Sequence, residues 1–164
     1  MYLKKINRME KHTVKLAEAL QERADLNRNI EQLKSRLNNN VLVQEGEAPA
    51  EEPEKLKQEL DACVLRLSYL ISHINLTNSQ IKIDGETLTE LISRKDALML
   101  RISAYKDIVN TASMTSYRAR NTEIKIKSSI TVKDWQAQID SMAKELRLLD
   151  NKLQESNWKT DLIE

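Results

Sequence analysis

Apolar side chains recur at alternating steps of three and four residues along four separate stretches of this chain. The first runs through Leu16, Ala19, Arg23, Leu26, Ile30, Leu33 and Leu37, the second through Leu56, Leu60, Cys63, Leu67, Leu70, Ile74 and Thr77. The third is Leu88, Leu91, Lys95, Leu98, Ile102, Tyr105, Val109 and Ala112, and the fourth Val132, Trp135, Ile139, Met142, Leu146, Leu149 and Leu153. A mean step of about 3.5 residues keeps one stripe of a helix turned toward a neighbouring helix, as in a coiled-coil seam. The spacing predicts four helices, about 13–39, 53–77, 88–116 and 132–156. No one of them can bury its stripe alone, so an elongated, antiparallel, all-α four-helix bundle is expected over residues 14–164.

Composition supports that reading. With two Gly, two Pro, no Phe and 31% charged residues, the balance is that of long helices. Two tryptophans and four tyrosines are too few rings for a compact α/β or all-β core. The punctuation falls between the stripes. Asn38-Asn39-Asn40 ends the first helix, because Asn tolerates left-handed backbone and competes for backbone hydrogen bonds. The segment 41–53, VLVQEGEAPAEEP, holds both prolines and four glutamates without a positive charge. It reads as an acidic, solvated linker, with Pro53 fit for the first turn of the next helix. Thr87-Leu88-Thr89-Glu90 is a capping box, and Thr131 with Asp134 resembles another cap. Ile81-Lys82-Ile83 before the turn Asp84-Gly85, and the alternating TEIKIKSSI of 122–130, are the strand candidates. Paired with 81–83 or with 41–43, residues 122–130 would make a small β-cap on the bundle.

A strict two-in-seven stripe is narrow for a globular bundle, whose helices show a wider apolar face. Incomplete burial favours a homo-oligomer, a dimer first, in which copies share seams. Arg23 and Lys95 occupy seam positions where the pattern asks for an aliphatic residue. Two readings stand side by side: they set register and partner number, or they snorkel to the edge of the interface.

Catalytic and metal signatures are missing from the sequence. His12 and His73 are the two histidines, with no ligand-spaced Cys or His beside them. Gly46 and Gly85 are isolated, so no phosphate loop is present. Glu51-Glu52 lies in the linker, where nothing would raise a carboxyl pKa. Cys63 is a seam position and reads as a small buried hydrophobe. No enzyme activity, cofactor or metal is expected.

Net charge is +1, which gives no global pull toward nucleic acid or anionic lipid. Locally, residues 94–133 are basic, opposed only by Asp96, Asp107 and Glu123. Arg118, Arg120, Lys125 and Lys127 form a candidate interaction surface for phosphate or for an acidic loop. A solvated basic face is the plainer reading; only Tyr117 is free to stack on a base, and nucleic acid is disfavoured as a partner. A membrane is disfavoured too: the N-terminal Leu3, Ile6 and Met9 among Lys4, Lys5, Arg8 and Lys11 make a short, weak amphipathic face. No apolar run approaches the roughly 20 residues that span a bilayer. A lone cysteine and no apolar signal core fit a cytoplasmic protein.

Blocks along nearly the whole chain carry a family resemblance: KLAEALQERADLNRNIEQLKSRLNNN (15–40), VQEGEAPAEEP (43–53), INLTNS (74–79), DGETLTELISRKDAL (84–98), EIK (123–125) and KELRLLDNKLQESNWKTDL (144–162). In these the chain resembles the septicolysin-like family of small bacterial helical proteins. The resemblance implies a cytoplasmic helical protein without a signal peptide and brings no catalytic residues. The family name implies a membrane-perturbing haemolysin. It also implies a start near Val14-Lys15, so that residues 1–13 read as an N-terminal extension, with Met9 as an alternative start. The functional expectation is a non-enzymatic, self-associating helical interaction or scaffold protein with a protein partner. Membrane perturbation and nucleic-acid binding through 94–133 are the alternatives.

Overall fold

The computed structural model describes residues 13–114 and 126–164. Within them the chain is mostly helical: α1 Leu16–Asn40, α2 Pro53–Gln80, α3 Leu88–Ser113 and α4 Val132–Lys159. A two-stranded antiparallel hairpin, β1 Lys82–Ile83 and β2 Glu86–Thr87, joins α2 to α3. Each heptad stripe of the sequence lies on one of these helices. The chain divides into two compact units, residues up to Ile81 together with Ser156–Glu164, and Lys82–Glu155.

The first unit is built on α1 and α2. Ion pairs Glu22–Arg66 and Arg36–Glu59 show that the two helices run antiparallel. At one end Leu16, Ala19, Leu70, Ile74 and Thr77 are fully buried, and Leu33 and Leu56 are buried toward the other. Between them Leu26, Ile30, Leu60, Cys63 and Leu67 are only half-buried. Two helices cover a seam from two sides and leave its flanks open. The well-buried end owes its cover to the C-terminal tail. Asp161 bridges Lys15 in antiparallel fashion, Leu162 N–H donates to the Val14 carbonyl at 2.8 Å, and Leu16 N–H donates to the Thr160 carbonyl at 2.9 Å. The tail thus satisfies one of the N–H groups that the start of α1 leaves without an intrahelical partner.

Asn40 ends α1 in a specific way. Buried to 8% exposure, it donates through Nδ2 to the Arg36 carbonyl at 2.9 Å and accepts at Oδ1 from Glu51 N–H at 2.9 Å. The linker is therefore pinned where it meets α2. Glu51, expected in a freely solvated loop, instead forms a bidentate pair with Arg36, and that guanidinium holds its carboxyl below the usual range. The linker's own turn closes with Glu47 N–H on the Gln44 carbonyl at 3.0 Å. Gly46, third in that turn, has φ +87°, a value that favours glycine.

The second unit packs α3 against α4, again antiparallel, since Lys95 pairs with Asp150 and Tyr105 with Trp135. Its core is Ile102, Val109, Ile139 and Met142, wrapped by Leu98, Tyr105, Val132, Trp135 and Leu146. The Tyr105 and Trp135 rings lie 4.7 Å apart at a 43° tilt. The capping box stands as expected: Thr87 Oγ1 accepts from Glu90 N–H at 3.2 Å, and Glu90 accepts from Thr87 N–H at 2.7 Å.

The β-cap differs from expectation. Residues 82–83 pair with 86–87, in the register Lys82 with Thr87 and Ile83 with Glu86, and, among the described residues, not with 126–130. Asp84 (φ 52°) and Gly85 (φ 92°) make the two-residue loop. Two positive φ values in an Asp-Gly pair are the favoured hairpin turn, and closing two residues costs far less entropy than closing a long loop. Residues 126–130 are not a strand; Ser128 Oγ donates to the Ile130 carbonyl at 2.8 Å and accepts from its N–H at 3.2 Å, a local alternative to ladder bonds. Residues 122–125 lie outside the described residues. Residues 41–43 are likewise unpaired and exposed.

Candidate functional site

Site residues expected from the sequence fall in different places. Arg118, Arg120 and Lys125 lie outside the described residues. Lys127 is exposed and lines a cleft of about 460 Å³, with Ile108, Met114, Ile126 and Ile130 as its apolar wall. The two seam cations behave differently. Lys95 is half-buried and pairs across the seam with Asp150, which in turn accepts from Gln154 Nε2 at 2.8 Å. The Lys95 ammonium holds the Asp150 carboxyl below its ordinary value. Arg23 is half-buried and makes no ion pair among the described residues.

His73, which has no ligand-spaced Cys or His beside it in the sequence, bonds the tail. Its Nδ1 lies 2.8 Å from the Ile163 carbonyl, so that nitrogen carries the proton, and its ring stands 4.1 Å from Tyr69. Thr77, the polar residue closing the second stripe, is part of the same clasp. Its Oγ1 donates to the His73 carbonyl at 2.7 Å and accepts from Ile163 N–H at 2.9 Å. Sequence reasoning missed this contact; a threonine at a seam position was the one signal that could have found it. Among the described residues no three His, Cys, Asp or Glu side chains come together as a metal site. None of their helices is long and apolar enough to cross a membrane.

The surface least explained by the fold is the outer face of α2. Between Asp61 and Lys82 the sequence holds one charged residue, Arg66. Arg66 is turned to α1 and held by both oxygens of Glu22 at 2.7 and 2.8 Å, below the ring of Tyr69. That pair keeps the Glu22 carboxyl below its usual range. The remaining outward positions are uncharged. Val64 is 49% exposed, Leu65 76%, Ile71 41% and Leu76 38%, and Ser68, Ser72, Asn75 and Ser79 are exposed between them. In a chain with 31% charged residues, three turns of helix with no outward charge are not a solvated face. It is an uncharged strip in which apolar and small polar side chains alternate. On α3, Met99, Leu100 and Ile108 are exposed as well, but Arg101, Lys106 and Asp107 interrupt them.

Among curated proteins none matches this chain. A solved structure does: the crystal structure of a functionally unknown conserved protein from Corynebacterium diphtheriae is 34% identical, and the match covers 92% of this chain and 99% of that one with a TM-score of 0.86. A family model matches residues 23–162, from the middle of α1 to the tail that clasps α2. The chain belongs to the family of unknown function DUF6847.

Proposed function

We propose that this protein works by association: a non-enzymatic helical interaction protein that pairs with itself and presents the remaining helix faces and loops to a protein partner. The observation that carries this reading is the uncharged outer face of α2, with Leu65 76% exposed. The half-buried middle of the α1–α2 seam adds to it, because a two-helix pair leaves apolar surface that a further helix would cover. Lys95 of the third stripe, paired with Asp150 beside the fourth, fits a coiled-coil-like protein in which polar contacts help set register. A single cysteine with no second to pair with suits a reducing, cytoplasmic setting.

The test is the solution mass by light scattering, on chains beginning at Met1 and at Met9, across a wide concentration range. A concentration-dependent dimer in both is expected. A monomer throughout overturns the reading.

A further inference from the structure

The tail lies on α1 and α2 as a bound peptide lies on its receptor. We propose that this end of the α1–α2 pair is a peptide-binding site, that residues 160–163 are its resident ligand, and that their release admits an extended acidic segment of a protein partner. The proposal rests on the reading of a protein that works by association and names where a partner enters.

The grip is on the backbone, from both sides. Toward α1, Leu162 N–H donates to the Val14 carbonyl at 2.8 Å, and the Thr160 carbonyl accepts from Leu16 N–H at 2.9 Å. Toward α2, the next residue is held by a pair of side chains. Ile163 N–H donates to Thr77 Oγ1 at 2.9 Å, and its carbonyl accepts from His73 Nδ1 at 2.8 Å. His73 and Thr77, one helical turn apart, thus stand in for one rung of a strand ladder. Main-chain bonds of this kind give affinity for any extended segment and leave specificity to the side chains.

Those side chains define what fits. Asp161 is exposed and accepts from the Lys15 ammonium at 2.6 Å, which holds its carboxyl below the ordinary value. Leu162 is sunk to 7% exposure at the end where Leu16, Leu70 and Ile74 are buried. Glu164 lies in the field of the Arg66 guanidinium. The fitting order is acidic, aliphatic, unspecified, acidic. Proline is excluded at the second and third places, because both N–H groups are used.

Few contacts oppose release. Leu162 is the one fully buried residue of 160–164. When Ile163 leaves, Thr77 Oγ1 keeps its bond to the His73 carbonyl at 2.7 Å, and the other groups return to water, so no buried polar group is stranded. Local opening below the cost of global unfolding is typical of binding segments. The tether then selects the occupant. A tethered ligand acts at an effective concentration of order millimolar. A second copy's tail makes the same contacts without the tether and loses, whereas a partner segment that repeats the pattern and adds contacts of its own displaces it.

The experiment uses the full chain, wild type and Leu162→Asp, with a capped peptide of residues 159–164, KTDLIE. The variant's carboxylate unseats its own tail, and circular dichroism checks that it remains helical. NMR titration follows the amides of Leu16, His73 and Thr77. The expected result is saturable binding to the variant, at least about tenfold tighter than to the wild type, and lost with Leu162→Asp or Ile163→Pro in the peptide. Amide exchange of the wild type tests the opening without any substitution. Leu16, Leu162 and Ile163 should exchange together, at least about tenfold faster than Leu70 and Ile74 relative to their unfolded rates. A variant that binds no peptide, or binds the proline peptide equally well, overturns the site. Tail amides that exchange as slowly as Leu70 and Ile74 overturn the release. A disulfide-linked heterodimer on mixing Lys15→Cys and Asp161→Cys chains, each with Cys63→Ala, would seat a second copy's tail there and overturn the foreign partner. The peptide and exchange results leave self-association standing, since the solution mass tests it separately.

Discussion

Thr77 occupies the last position of a stripe that otherwise asks for aliphatic side chains, and it is fully buried. Its hydroxyl satisfies two backbone groups at once, the His73 carbonyl and the Ile163 N–H. Thr77→Val keeps shape and volume but leaves the Ile163 N–H without its acceptor. The expected cost is about 1–3 kcal/mol by urea unfolding, the range for an unsatisfied buried group. Thr77→Ser, which keeps the hydroxyl, should cost less than half as much. Amide exchange at Leu162 and Ile163 should accelerate in the valine variant and not in the serine one. Carboxylates make the second residue-scale prediction. Glu22 has a folded pKa below its ordinary 4.5, chiefly through the hydrogen bonds from Arg66, and Asp150 sits below 3.8, chiefly through Lys95. A depressed folded pKa contributes stability that is present above the unfolded value and lost as pH falls through the folded one. The urea midpoint should hold steady above about pH 5 and fall below it, and Glu22→Gln should flatten part of that fall. The Glu22–Arg66 pair is more than a third exposed on both sides, so solvent screening limits it to under about 1 kcal/mol. A midpoint unchanged down to about pH 3 would remove both pairs from the account.

At the scale of elements, what the sequence showed clearly was what local physics decides. Helix identity followed from the 3.5-residue spacing, and the start of α3 from Thr87 and Glu90. Helix ends were less legible. α2 continues through Asn78 and Ser79 to Gln80, where composition argued for a stop, and Ser79 Oγ donates back to the Leu76 carbonyl at 2.7 Å. Tertiary packing of the seam through Thr77 carries the helix past residues of weak propensity. At 81–83 alternation pointed to a strand and said nothing about its mate, which is 86–87. The nearest mate wins when a two-residue turn allows it. Gly85 makes that turn possible: no atom lies within 4 Å of an added Cβ, so Gly85→Ala meets only the backbone penalty of φ +92°. The expected loss is about 1–2 kcal/mol. It should match that of Thr87→Ala, about 1 kcal/mol from the lost cap, within a factor of about two. Urea unfolding of the two variants checks both figures; a neutral Gly85→Ala would mean the hairpin contributes nothing to folding.

For the whole molecule, a heptad stripe says that a face is covered and carries no address for what covers it. The Leu162 that is buried at 7% exposure lies beyond the last stripe, so the clasp of the tail on α1 and α2 was invisible to periodicity. The same limit hid the outer face of α2, since Val64, Leu65 and Ile71 fall between seam positions and look like scatter until the charged residues around them are seen to be missing. If that face pairs with a second copy, stability must depend on concentration. Association binds the folded chain and not the unfolded one, so each copy gains stability that rises with the logarithm of total protein once the dissociation constant is passed. A hundredfold excess over that constant corresponds to about 2.7 kcal/mol. Scanning calorimetry of the full chain at two concentrations about a hundredfold apart, bracketing the constant found by light scattering, should therefore raise the midpoint by several degrees. Leu65→Lys/Ile71→Lys should melt at one temperature at both concentrations and coincide with the dilute wild type. That coincidence separates a dimer interface from a structural role, because a face needed for the fold of one chain would lower the midpoint of the variant at high dilution too.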